Sequence, residues 1–233
     1  MLPQTVKTRG IHVGIRFAPQ APLDKQHRQA FQMKANEGFD WQRHEYAANA
    51  WRLSSPQPEN DRRSELKFTI QPDAMAFEDQ FPTGPIDLFQ DNLKLAMGVV
   101  GDVFRPQLMI GGSGCLIRLT AQSATGDSRR FLGQHCMRME DQLKPLGRPV
   151  FGVGFKLLLP AVQGEGQPHW QATMRVESLM EDPKQLFIEV DARWPNPTQW
   201  SADEAANRLR TAFDFSTNQV VSFLEQFGGP GGA

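Results

Sequence analysis

Ile11-His12-Val13-Gly14-Ile15-Arg16-Phe17 alternates apolar with polar or small residues. That is the period of two expected of a strand with one buried face. Cys115, Ile117, Leu119 and Ala121 alternate with Leu116, Arg118 and Thr120 in the same way, and Ile15-Arg16-Phe17 matches Ile117-Arg118-Leu119 in pattern. The offset, 117 less 15, is 102 positions. Read outward from these two strands, the chain predicts one order of elements twice: a strand, a helix, a run of three strands and a long helix. The first set occupies roughly residues 9 to 104 and the second roughly 107 to 227.

In the first set, Pro19 to Pro22 turns the chain into a helix over Leu23 to Ala35. An extended segment follows over Tyr46 to Ser54, then a polar loop over Ser55 to Ser64. Leu66, Phe68 and Ile70 begin a hairpin that turns at Pro72-Asp73 and returns over Ala74 to Phe81. Pro85 sits at a first helical position, and Ile86, Phe89, Leu93, Ala96, Met97, Val100 and Phe104 trace a helical stripe.

The second set opens with Gln107 to Ile110, passes through Gly111-Gly112-Ser113-Gly114 and resumes as the strand Cys115 to Ala121. A helix is predicted over Ser128 to Leu143, with Leu132, Cys136, Met139 and Leu143 on one stripe and Gly147 at its end. Phe151, Val153, Phe155, Leu157 and Leu159 form the most apolar strand of the chain, joined by a loop at Gln163 to Gln167 to the strand Trp170 to Val176. Asp182-Pro183 turns into the strand Leu186 to Trp194. Ser201-Ala202-Asp203-Glu204 has the spacing of a capping box before a last helix that runs to Phe227.

The expected fold is α+β. Residues 1–106 and 107–227 form two β-α-β-β-β-α units, followed by a flexible, glycine-rich tail at 228–233. Each unit has strands with one apolar face and helices with one apolar stripe, so a curved antiparallel sheet with helices on one face satisfies both. The element order resembles the duplicated, helix-backed sheets of TATA-binding-protein-like and helix-grip folds, without a shared motif that would carry a functional residue across. Gly14-Ile15-Arg16-Phe17-Ala18-Pro19 and Ile188-Glu189-Val190-Asp191-Ala192-Arg193-Trp194 resemble an uncharacterised, sporadically distributed prokaryotic family. That resemblance implies no activity.

Composition sets the bounds. The 233 residues are 39% hydrophobic and 22% charged, which is ordinary for a folded soluble protein. Twenty-five Lys and Arg against 26 Asp and Glu leave a formal charge of −1, so no global field favours DNA or an anionic membrane. Two cysteines outside any C-x-x-C arrangement, and an N-terminus without a basic-then-apolar pattern, point to a reducing cytoplasm. No uncharged apolar run reaches the roughly 18 to 20 residues of a membrane helix.

The alternation assigns a candidate binding face: Arg16, Lys67, Arg118, Lys156, Arg175, Glu177, Glu189, Asp191 and Arg193, with Thr69 and Thr120. Arg16 and Arg118 would form a twofold-related pair able to cradle an anion. The more economical reading is cross-strand ion pairing on a solvated face. The trio Glu177, Glu189 and Asp191 speaks against nucleic-acid binding. Gly111 to Gly114 leads into a strand rather than a helix, so a bulge or an interdomain hinge is expected there instead of a phosphate loop. His12, His27, His44, His135 and His169 lack metal-ligand spacing, and Cys115 and Cys136 read as core. No cofactor is indicated.

The functional expectation is a non-catalytic module that binds a protein partner, or itself, through the sheet face or an edge. A first alternative is a small-molecule pocket or active site between the sheet and the helices Pro85 to Phe104 and Ser201 to Phe227, with His135, Trp170 and Arg118 converging in it. Nucleic-acid binding is the second alternative.

Overall fold

The computed structural model describes residues 1–56, 65–104, 109–148, 150–162 and 169–228. The first strand, β1 (Leu2–Ala18), leads to α1 (Lys25–Gly38), whose start is capped by the Asp24 carboxylate accepting from the His27 amide at 2.9 Å. Four strands follow: β2 (Arg43–Ala47), β3 (Ala50–Pro56), β4 (Glu65–Gln71) and β5 (Ala74–Gln80). Then come α2 (Ile86–Phe104) and β6 (Met109–Gln122). Short turns α3 (Ser128–Arg130) and α4 (Glu140–Leu143) precede β7 (Gly154–Leu159), β8 (Gln171–Ser178), β9 (Gln185–Trp194) and β10 (Thr198–Gln199). The last helical stretch comprises α5 (Ala202–Asp214) and α6 (Val220–Glu225), joined by a π-helical turn.

All the strands among the described residues belong to one ten-stranded antiparallel sheet, in the order β2-β3-β4-β5-β1-β6-β9-β8-β7, with β10 beside the start of β6. The sheet is open, and the helices pack against it. The fold class expected from sequence, α+β with an antiparallel sheet, is observed. The two long strands β1 and β6 lie side by side at its centre, with Val13 opposite Cys115 and Gly14 opposite Gly114. The odd positions of β1, from Ile11 to Phe17, face the helices, as do Cys115, Ile117, Leu119 and Ala121 of β6. Leu93, Met97 and Val100 of α2 and Leu209 and Ala212 of α5 complete this layer, all of them fully buried. Under the first strands, Phe31 of α1 packs against Trp51 at 5.5 Å and Phe68 at 5.3 Å, and Phe68 meets Phe77 at 5.9 Å between ring centroids. Among the described residues, no helix is long and apolar enough to cross a membrane.

Several boundaries differ from the sequence reading. Tyr46 to Ser54 is not one extended segment but the hairpin β2-β3, which turns at Ala48-Asn49; asparagine tolerates such turns, and both strands bury the same face, with Tyr46 opposite Trp51. Of the two readings of Gly111 to Gly114, bulge or interdomain hinge, the bulge is the one observed. It lies inside β6, and the register steps from Arg16 opposite Gly112 to Phe17 opposite Ile110, leaving Gly111 as a bulge.

The helix predicted over Ser128 to Leu143 is broken. After α3, the chain makes a π turn over Phe131–Cys136; the Met137 amide reaches back to the Leu132 carbonyl at 2.9 Å, and the Met139 amide to that of Gly133 at 2.8 Å. Gly133 weakens a regular helix, and Arg138 adopts a left-handed φ of 53° that ends it. The last helix follows its capping box, Ser201 Oγ accepting from the Glu204 amide at 3.2 Å, but is interrupted over Phe215–Gln219. The most apolar strand, read from sequence over Phe151 to Leu159, is shorter and lies at the sheet edge. Of the loop expected over Ser55 to Ser64, Ser55 and Pro56 belong to β3 and 57–64 fall outside the described residues, as do the loop at 163–167, the start of the strand at 107–108 and all but Gly228 of the tail expected at 228–233.

Candidate binding face on the open side of the sheet

The side of the sheet away from the helices carries the even positions of β1 from Gly10 to Arg16 and of β6 from Gly112 to Arg118, with their neighbours in register. Across β5, β1 and β6 these positions hold almost no side chain. Ala76 lies beside Gly14, which lies beside Gly114; one step along, Ala74 flanks Arg16, which lies opposite Gly112. Three strands at about 4.8 Å spacing make a bare backbone floor roughly 10 Å wide. None of the three glycines has a positive φ, so the backbone does not demand glycine there. A Cβ at Gly14 would stand 3.4 Å from His12 Nε2, and one at Gly112 would stand 3.6 Å from the Trp194 carbonyl, which is contact without clash. What the glycines supply is room.

That room is a hollow of about 1090 Å³. Its walls carry His12, Arg16, Arg52, Lys67, Glu78 and the pair Asp191–Arg193. The two carboxylates are already engaged: Glu78 with His12 Nδ1 at 3.1 Å, and Asp191 with Arg193 at 2.6 Å. The hydrogen bond from His12 holds the Glu78 carboxyl below its ordinary range despite partial burial. Lys67 reaches Glu65 at 2.9 Å and Arg52 reaches Glu45 at 3.3 Å. Arg16 is exposed and has no carboxylate partner among the described residues. A second hollow, of about 770 Å³, lies over β7, β8 and β9 and is lined by Lys156, Arg175 and Glu189. Asp191, Arg193 and Gln171 line both hollows and form the ridge between them.

The nine candidate residues therefore share one face but not one site. Arg16 and Lys67 belong to the larger hollow, Lys156, Arg175 and Glu189 to the smaller, and Asp191 and Arg193 to both. Arg118 and Glu177 belong to a strip of ion pairs. Arg118 Nε meets one oxygen of Glu189 at 2.9 Å, Arg175 meets the other at 3.1 Å, and Glu177 lies 3.9 Å from Arg175. The economical reading of cross-strand pairing holds for these residues. The anion cradle between Arg16 and Arg118 does not form: Arg16 is opposite Gly112 and Arg118 is opposite Gly10, so six residues, or about 20 Å, separate them along the strands.

No protein-family model matches the chain, and no curated protein does either.

The three residues proposed to converge beneath the long helices are also apart. Arg118 is on the open face, Trp170 stacks on Trp194 at 5.6 Å and meets Phe215 at 5.2 Å, and His135 stacks on Phe131 at 6.3 Å. Burial pushes the Cys115 thiol up to about 12 and the Cys136 thiol up to about 11, so neither is a ready nucleophile. Among the described residues, no group of three or more His, Cys, Asp or Glu is placed to hold a metal ion. The sequence reading missed the floor itself. The alternation that put Arg16 on the open face also puts Gly14, Gly112 and Gly114 there, so the signal was present.

Proposed function

We propose that this protein is a non-catalytic binding module, acting in the cytoplasm, whose larger hollow receives an extended acidic segment of a partner protein. The observation that carries this reading is the bare floor of Gly14, Gly112, Gly114, Ala74 and Ala76 under a wall with more cations than carboxylates. A chain segment lying over that floor would touch peptide backbone, and its carboxylates would meet Arg16. The volume, about 1090 Å³, is at the upper end of small-molecule sites, which run to about 1,000 Å³, and the hollow is open along the sheet. Trp194 also lines the hollow but is stacked on Trp170 at 5.6 Å, so among the described residues the floor itself offers no free aromatic platform on which bases would stack, which favours a peptide over a nucleic acid.

The reading of the chain as two copies of one unit belongs with this proposal. It is supported by the central pair, in which Val13 lies opposite Cys115, the same 102 positions apart (115 less 13) as the matching motifs. Two copies meeting about a local twofold would put Gly14 and Gly114 side by side.

The test is fluorescence anisotropy with a labelled hexaglutamate peptide, a hexalysine control and a single-stranded oligothymidylate. Binding of hexaglutamate alone, weakened by salt and lost in Arg16→Glu, is the expected result. Indifference of hexaglutamate binding to Arg16→Glu, or a preference for the oligonucleotide, overturns the reading.

A further inference from the structure

The two edges of the sheet are finished differently. At one end β2 carries Arg43 and Glu45, which pair with Glu65 at 3.7 Å and Arg52 at 3.3 Å, and charges of this kind deter pairing with another strand. At the other end β7, Gly154-Phe155-Lys156-Leu157-Leu158-Leu159, has a single charge and, among the described residues, pairs only with β8. Its apolar side chains are not covered. Phe151, Leu158 and Met180 are 68–70% exposed, and Leu157, Leu159 and Val162 are 37–45% exposed. The helix layer ends short of this edge, meeting it where Phe155 touches Phe223 at 6.5 Å between ring centroids. At roughly 150–200 Å² for a large apolar residue, these six leave roughly 600 Å² in water, at the limit of what a lone chain ordinarily exposes.

We propose that this edge is covered by a second copy of the chain, through antiparallel pairing of β7 with β7 that makes the two sheets continuous. The backbone is free to do so. The Ser178 amide donates to the Val153 carbonyl at 2.9 Å, so the bonds to β8 fall at odd positions of β7. By alternation, the amides and carbonyls of Gly154, Lys156 and Leu158 point outward.

One symmetric register uses these groups well. With Leu157 opposite Leu157 of the second copy, Lys156 and Leu158 exchange backbone bonds with their opposite numbers, and Phe155 faces Leu159. The alternative, centred on Lys156, sets two like charges against each other and is disfavoured. The patch of roughly 600 Å² per chain, with the backbone edge and the Lys156 stem added, approaches the about 800 Å² per partner of a stable interface. The charges on β2 deter head-to-tail pairing of β7 with β2 into an open fibre, so β7 pairing with itself closes the assembly as a twofold dimer.

Light scattering of the full chain on a sizing column, with sedimentation equilibrium over about a hundredfold range of concentration, tests this. The expected mass is twice the 26.2 kDa of one chain. Leu158→Pro removes an outward amide without touching the bonds to β8, and Leu158→Lys adds a charge at an exposed position; each should halve the mass, with the circular dichroism spectrum unchanged. Leu157→Cys should form a disulfide-linked dimer under mild oxidation, because directly opposed residues in a non-bonded pair bring their Cβ atoms to the close end of the cross-strand range, about 4.5 Å, within reach of a disulfide. A wild-type monomer at every concentration overturns the proposal, and so does a dimer indifferent to both Leu158 variants. A dimer without the Leu157→Cys cross-link overturns the register.

Discussion

Gly14 should be a residue that weakens the fold. It sits in the middle of the longest strand, flanked by Ala76 and Gly114, at a backbone conformation open to any residue. Glycine in a strand interior costs roughly 0.5–1 kcal/mol relative to alanine through the extra freedom of the unfolded chain. An added Cβ would stand 3.4 Å from His12 Nε2 and touch nothing else within 4 Å, so no steric penalty offsets the gain. Gly14→Ala should therefore stabilise by about 0.5–1 kcal/mol, or about 1–4 °C in Tm for a chain of this size. Urea denaturation followed by tryptophan fluorescence measures it, with an unchanged m value showing that only stability moved. Gly14→Leu should keep the fold and abolish hexaglutamate binding by filling the floor. A loss of more than about 1 kcal/mol in Gly14→Ala would refute the reasoning, because it would make the glycine structural.

Arg16→Ala should leave stability within about 0.5 kcal/mol of the wild type, since the side chain is exposed and has no carboxylate partner among the described residues, while weakening acidic-peptide binding; a thermal melt beside the anisotropy titration separates the two. Glu189→Gln strands Arg118 and Arg175 together and should cost up to about 1 kcal/mol, an effect that shrinks as salt is raised in urea titrations. Glu78 and Asp127 are held below the ordinary carboxylate range, chiefly by hydrogen bonds from His12 and from Arg129. Their stabilisation is thus full above the unfolded value near 4 and is lost as pH falls through the lower folded values. Stability measured from about pH 6 to about pH 2 should drop through that window, less steeply in Glu78→Gln. A thiol-reactive aromatic disulfide at neutral pH should modify Cys115 and Cys136 slowly in the native protein and at once in urea; a fast native reaction at either contradicts the burial argument.

The alternation of Ile11 to Phe17 and of Leu186 to Trp194 was enough to assign strands and their buried faces, because a period of two is a local property of the chain. Pairing is not local. Nothing in Phe151 to Leu159 tells an internal strand from an edge, since both are apolar, and only the helix layer ending at Phe223 leaves it bare. The break after Arg130 depends on a single glycine and on Arg138 in a left-handed conformation, against a stripe that otherwise reads as helix. The open face was legible as a set of residues, but its division into two hollows and an ion-paired strip depends on register, which placed Arg16 and Arg118 far apart. A site defined by missing side chains carries no motif, so the glycines were read as backbone punctuation instead of as space.

The central position of β1 has a consequence for how the protein is made. β1 leaves the ribosome first, yet the neighbour that covers its longer edge, β6, begins at Met109. At about 5–20 residues per second, the wait between the end of one strand and the end of the other is roughly 5–20 s. Through that interval one edge of β1, with its apolar face of Ile11, Val13, Ile15 and Phe17, stays uncovered in the middle of the unfinished sheet. Codon usage and chaperone occupancy over the codons for residues 18 to 122 should therefore govern the yield of folded protein more than events later in synthesis do.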